Sequence, residues 1–447
     1  MNMDNVQGTG AVPQIGKDNA YRGDAPREAE SAGGNYGGSG KIVVMGGIGT
    51  IFQEKNSDGY KTPKQGVAEH VVGTAVSSIV EERSVSLDAE GVKVVIEGLM
   101  VKDSTDVTSE DHEKIAKAVY SVLLDNEVMG VVLPFGTSTM KEFMPRLMVM
   151  LGSDKPVHVT CADKAYNERN TDAFRNIKKS IIGVYEFARR GMGGVFLNYD
   201  RRIVEGTWVH EREGRPHGAA EHTIADFNGD SIRIKNGNEK KYREFAARRR
   251  GSTLNVELDK NVSLFNPTAG MDLERLAKKL KMLARESNAV ILEGTHDLSV
   301  RSDLHPAIKS IARNMPMIVT SETFVVPDQG SYGVTRDLHE AGVIFGTGSK
   351  YLDKAMLEAA VGGGNTINNI KERFLDYKTR AFAGIFDSPV TPDDLERALG
   401  IAYREAETMA WGINRRYEEG GAGHTTYAFR GTAVPKGAGK RKSRQRT

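Results

Sequence analysis

From Lys41 onward the chain alternates between two patterns. Short, mostly apolar runs, KIVVM (41–45), VKVVIEGLMV (92–101), VMGVVLP (128–134), PVHVTC (156–161) and GGVFLNY (193–199), read as strands. Between them, SEDHEKIAKAVYSVLLD (109–125), MKEFMPRLMVMLG (140–152) and TDAFRNIKKSIIGVYEFARR (171–190) carry apolar residues at helical spacing. Strands that are apolar on both faces, separated by amphipathic helices, predict a parallel sheet covered on both sides. Ser109 is expected to cap the helix over 109–125.

The alternation degrades between about 205 and 262 and resumes with DLERLAKKLKMLARES, NAVILEG, SDLHPAIKSIAR, MPMIVTSET and SKYLDKAMLEAAVG. The expected organisation is therefore a large α/β domain over 41–225, a linker or insertion over 226–262 and a smaller α/β domain over 263–362. A helical extension over 363–430 follows, with Thr391 as an N-cap. Residues 1–40 hold nine Gly and no periodicity, so they read as a disordered leader.

Charge changes this picture only at the ends. The 447 residues total +2, yet residues 431–447 carry six Lys and Arg and no acid, and the body at 41–430 holds 52 basic against 54 acidic residues. The basic tail is a candidate for binding nucleic acid or an acidic partner. Arg248, Arg249 and Arg250 read first as a solvated helix face. The chain has no 18-residue apolar run, so no membrane segment is expected, and the default location is cytoplasmic. The single Cys161 ends an apolar strand and reads as a structural thiol.

Several motifs fail on spacing. GGSGK (37–41) precedes a strand, and Ile42 stands where a phosphate loop needs Ser or Thr; GGIGTIF has Phe52 where a dinucleotide fingerprint needs its third Gly. His210, Glu211, His217 and His222 lack the spacing of a helical zinc pair, and neither a metal nor a cofactor is expected. What remains is a set of hydroxyls, Thr50, Ser104, Thr137, Ser138 and Thr139, at the carboxyl ends of strands, where open parallel sheets bind ligands. Thr50 sits in a Gly-rich turn whose N–H groups suit an oxyanion, and Tyr60 follows in a loop long enough to be a lid.

These stretches resemble the bacterial and archaeal asparaginase family, including the glutaminase subunit of the archaeal Glu-tRNA(Gln) amidotransferase. IGTIF (48–52) is similar to the family's TGGTIA, DSTDVT (103–108) to DSSNMT and GVVLPFGTSTMKE (130–142) to GVVITHGTDTMEE. The resemblance runs from Lys41 to about Gly362 through Asp172 and Asn176, VILEGT, IVTSET and AGVIFGTGSKYLDKAMLEA. It implies an asparaginase-like two-domain α/β fold and an amidohydrolase acting on a small amide. In it Thr50 is the nucleophile, Tyr60 its mobile-loop assistant, Thr137 the second threonine and Ser104 the binder of the substrate's α-carboxylate. It also implies a homo-oligomer, dimer or tetramer, in which Asp297 completes a neighbour's site.

The departures from the family pattern concern charge. Ser138 replaces the Asp that holds the substrate's α-ammonium, which relaxes amino-acid recognition. Glu211, with Arg212 beside it, stands near the family's activating lysine, and Lys164 is a conceivable substitute. Ile48 replaces a motif Gly, adding a side chain where backbone is expected to approach substrate, and Phe135 replaces a His. Two readings follow: an amidohydrolase with altered substrate preference, or a catalytically degenerate oligomeric scaffold or ligand-binding protein. An amidotransferase subunit ranks lower, since residues 1–40 are too short for that family's N-terminal barrel.

Overall fold

Lys41–Ile48 (β1) shows why the apolar runs are strands: Ile42 and Val44 face one layer and Val43 and Met45 the other, all 2% exposed or less. The structure, a computed structural model, describes residues 40–82, 87, 91–212, 214–218, 222–248, 251–267, 270–295, 298–321 and 333–382. The leader, Asp297, Arg249 and Arg250, the cap at Thr391 and the basic tail lie outside the described residues.

The chain continues through α1 (Val67–Glu81), β2 (Lys93–Lys102), α2 (Ser109–Leu123), β3 (Val128–Pro134), α3 (Met140–Met150), β4 (Pro156–Thr160), α4 (Ala173–Arg189) and β5 (Gly194–Tyr199). Next come β6 (Arg202–Glu205), β7 (Thr223–Asn228), β8 (Ser231–Ile234) and α5 (Asn238–Arg248). Eight strands form one sheet in the order β8-β7-β6-β5-β4-β3-β1-β2. The five from β5 to β2 are parallel, and β6, β7 and β8 are added antiparallel. The boundary expected at 225 thus falls inside β7. The stretch read as a linker begins with sheet strands too short and polar to show in the pattern.

α1 and α4 pack on one face of the sheet, and α2 and α3 on the other. α3 and α4 both connect a strand to its neighbour in the same direction, yet they lie on opposite faces. The β4–α4–β5 crossover therefore has the opposite hand to the three before it, so one of the two senses breaks the general right-handed rule. The consequence is a loop at 161–172 that crosses from one side of the sheet to the other at the carboxyl end of β4.

Thr108, not Ser109, caps α2. A capping box needs an acceptor side chain three residues on, and Thr108 has Asp111, whereas Ser109 would face His112. Asp111 N donates to Thr108 Oγ1 at 3.3 Å, and Thr108 N donates to Asp111 Oδ2 at 3.0 Å.

A second sheet is fully parallel, in the order β9 (Val262–Phe265), β10 (Ala289–Glu293), β11 (Met317–Thr320) and β12 (Ile344–Phe345). It is flanked by α6 (Leu273–Glu286), α7 (His305–Ala312) and α8 (Gly333–Glu340) on one face, and by α9 (Lys350–Gly362) and α10 (Ile367–Phe382) on the other.

α3 packs against α9, joining the two sheets. There Arg146 donates Nε and Nη2 to Glu358 at 2.8 and 2.7 Å, and Nη1 to Ser109 Oγ at 3.0 Å. The Glu358 side chain is 1% exposed, and Lys354 is also hydrogen-bonded to it. Losing one member of such a pair strands the other's charge in the interior. Glu358→Ala is expected to cost about 3–5 kcal/mol in denaturant unfolding followed by circular dichroism.

Candidate active site

Strand order 2-1-3-4-5 places a topological switch between β1 and β3, because the connections from these neighbours leave toward opposite edges of the sheet. A crevice opens there outside the carboxyl ends of the two strands. β1 ends in Gly47 at φ +128° and Gly49 at φ +86°, ψ 173°, conformations that are essentially restricted to glycine. Thr50 then starts a 3₁₀ turn, Thr50–Phe52, closed by Phe52 N donating to Gly49 O at 3.1 Å.

The absence of side chains at two glycines decides the geometry. A methyl on Gly49 would stand 2.5 Å from Gly136 N, and a methyl on Gly136 would stand 2.0 Å from Ser104 Oγ. The turn after β1 therefore meets the loop after β3 backbone to backbone, and that loop packs against the Ser104 side chain after β2. Thr139 Oγ1 tightens the contact by donating to Ser104 O at 3.0 Å, rather than capping α3. This brings together the segments that carry Thr50, Ser104 and the consecutive Thr137 and Ser138. Thr50 and Thr137 are partly exposed and Ser138 is exposed, whereas Ser104 is 4% exposed with its hydroxyl against Gly136.

Ile48 is not the obstruction its position suggested. Its side chain is fully buried on the α2/α3 side of the sheet, in one cluster with Phe135, Met140 and Phe143. Phe135 stacks on Phe143 with centroids 3.9 Å apart, so both departures are core packing. His112 lies beside the two rings; burial, and then the Arg146 guanidinium, push its pKa down to about 3, leaving a neutral imidazole.

Tyr60 lies at the tip of a hairpin, Gln53–Lys55 with Lys61–Pro63, and is 73% exposed, so it is not enclosed with Thr50. The hairpin is nevertheless tied down. Lys61 Nζ donates to Asp163 O at 3.0 Å and pairs with Glu168 at 3.0 Å, Lys55 N donates to Asn167 Oδ1 at 2.9 Å, and Gln53 Nε2 donates to Asp103 Oδ2 at 2.6 Å. Through these bonds it grips both the loop after β4 and the segment next to Ser104. Lys164 is exposed; its Nζ donates to Arg169 O at 3.3 Å, and it lines a cavity beside β5 that includes neither Thr50 nor Thr137.

A cation that pattern reading passed over is Lys141, in the first turn of α3. Met140 N donates to Thr137 O at 3.4 Å, so this turn directly follows Thr137. Lys141 Nζ donates to Glu211 and lies 5.5 Å from the centre of the Tyr351 ring. Burial pulls its pKa down, but the Glu211 hydrogen bond and Tyr351 outweigh this, so the net direction is up and the ammonium is held. The signal was present in the sequence: the segment GTSTMKE puts a Lys where the resembled motif has an acid, and Glu211 stands near the place of the family's activating lysine. The two charges are exchanged and paired.

His210, His217 and His222 are half-buried, and His222 stacks on Trp208 at 4.8 Å. Among the described residues no group of three His, Cys, Asp or Glu side chains is placed to hold a metal ion, and no helix is long and apolar enough to cross a membrane. Cys161 is fully buried, and burial pushes its thiol pKa well up.

Residues 41–222, which hold Thr50, Tyr60, Ser104, Thr137, Ser138, Lys141 and Glu211, match the asparaginase N-terminal domain. This part of the chain is an asparaginase N-terminal domain. Among solved structures it is similar to the thermostable L-asparaginase from Thermococcus kodakarensis, at 26% identity over 75% of this chain and 96% of that one, with a TM-score of 0.60. L-asparaginase I from Vibrio cholerae O1 biovar eltor matches in fold at 17% identity, over 75% of this chain and 96% of that one, with a TM-score of 0.59. The asparaginase fold thus rests here on a close approach that only glycine permits. Gly49→Ala is expected to lower stability by roughly 3 kcal/mol, read as a drop in thermal midpoint, because it adds both backbone strain and a clash with Gly136.

Proposed function

We propose that the protein is an amidohydrolase of the asparaginase kind that uses Thr50 as its nucleophile. The observation that carries this reading is the Gly49–Gly136–Ser104 contact, which gathers three hydroxyl-bearing segments at the switch point. Thr50 Oγ1 attacks the amide carbonyl carbon, and its proton passes to a base brought in with the Tyr60 hairpin. Backbone N–H groups of the glycine turn stabilise the oxyanion. That proton passes on to the amide nitrogen as the C–N bond breaks and ammonia leaves, and a water placed near Thr137 hydrolyses the ester to the acid and restores Thr50. Ser138 offers the substrate a hydroxyl instead of a carboxylate, so amides lacking an α-amino group are candidates beside asparagine and glutamine. Self-association, with Asp297 contributed by a neighbour, belongs to the same reading.

Ammonia release by purified protein, assayed with Asn, Gln and amides lacking an α-amino group, tests the proposal. At least one should be hydrolysed, and Thr50→Ala should lower the rate by roughly 10³-fold or more while the protein stays folded. No release from any of them would favour the second reading, a degenerate scaffold, to which the exposure of Tyr60 lends support.

Lys141 serves in this reading as a fixed positive charge next to Thr137. A group that acts in its protonated form loses function as pH rises through its pKa. Glu211→Gln replaces the charged acceptor that holds the Lys141 pKa up with a neutral one. The alkaline limb of the pH–rate profile should therefore move to lower pH, and an unmoved limb would remove Lys141 from the mechanism.

A further inference from the structure

Beyond the switch point, at the carboxyl ends of β4 and β5, lies an open cleft of about 520 Å³ that includes none of Thr50, Ser104, Thr137 or Ser138. Its size suits a small-molecule ligand. The walls carry five cations, Lys164, Arg175, Arg201, Arg202 and Arg215, against three carboxylates, Asp163, Asp172 and Asp200.

Two of those carboxylates are already occupied by the protein. Asp172 accepts from the backbone N–H groups of Asp163 and Lys164, each at 3.1 Å, and from Asn176 Nδ2 at 2.9 Å. Asp163 accepts from Tyr199 Oη at 2.5 Å and pairs with Arg215, whose Nε lies 2.9 Å from Oδ2. The remaining ion pairs are long: Arg175 to Asp200 at 3.8 Å and Arg202 to Asp226 at 4.0 Å. The positive charge of the wall is therefore only partly compensated.

Asn170 and Asp200, which also line the cavity, sit in turns with left-handed backbone, φ +57° and +56°, a conformation that Asn and Asp adopt readily. Leu197, Val204 and Pro216 add apolar surface to the lining.

We propose that this cleft binds a small phosphate-bearing molecule. Planar guanidinium groups present paired donors that match the oxygens of a phosphate, and several of them converging on one cavity favour a polyanion over a single carboxylate. The apolar part of the lining would take the organic portion of the ligand. The site is separate from the amidohydrolase reading and stands or falls without it.

The test is isothermal titration calorimetry of the full chain with sodium pyrophosphate, with succinate and sulfate at matched ionic strength as comparisons. Saturable binding of one pyrophosphate per chain is expected, weaker for both comparisons. In the double variant Arg175→Ala/Arg201→Ala the Kd should rise at least about 10-fold, since two charge-assisted contacts are lost. Thr50→Ala should bind as the natural chain does. Absence of saturable binding at millimolar pyrophosphate would overturn the proposal. So would equal binding of succinate or sulfate, or affinity undiminished in the double variant, which would place the anion elsewhere, for example on the basic tail.

Discussion

Everything at the candidate site depends on how closely three stretches of chain approach one another. Gly49 meets Gly136, and Gly136 meets Ser104, at separations where a single added methyl would lie 2.0–2.5 Å from its neighbour. A side chain at Gly49 or at Gly136 would force the ends of β1, β2 and β3 apart. The conformation at Gly49 is one that L side chains avoid, so the same residue satisfies both the backbone and the packing requirement.

α3 transmits this arrangement to the rest of the molecule. Its first turn presents Lys141 to Glu211, its next holds Phe143 against Phe135, and further along Arg146 reaches Glu358 on α9. One helix thus sets the electrostatics beside Thr137, the packing beneath the crevice and the junction with the second sheet. The reversed crossover through α4 has a different effect: it throws the 161–172 loop across the sheet end, where the Tyr60 hairpin docks on it and the arginine-lined cavity opens beneath it.

Much of the fold was legible because its strands are apolar on both faces, as KIVVM and VMGVVLP are, and because helices such as 109–125 repeat at helical spacing. Short polar strands were not legible: β7 and β8 read as a linker because a sheet edge makes weak demands on composition. At the site, the hydroxyl positions could be read from strand ends and motif order. Ile48 was misread because its position next to two glycines suggested exposure to substrate, whereas the register irregularity between Gly46 and Ile48 breaks the alternation of β1 and puts the side chain in the core with Val43 and Met45. Lys141 was passed over because its importance comes from Glu211, seventy positions away in the sequence.

Periodicity, glycine placement and motif order determined, without any structure, that this chain builds parallel sheets and brings hydroxyls to their carboxyl ends. Those properties are local: each follows from how a residue's side chain and backbone behave among its immediate neighbours. Only the tertiary structure decided which segments touch, which charges pair, on which face α4 crosses and where a second cavity forms. These depend on contacts between residues distant in the chain, and the sequence lists such residues without recording the space between them.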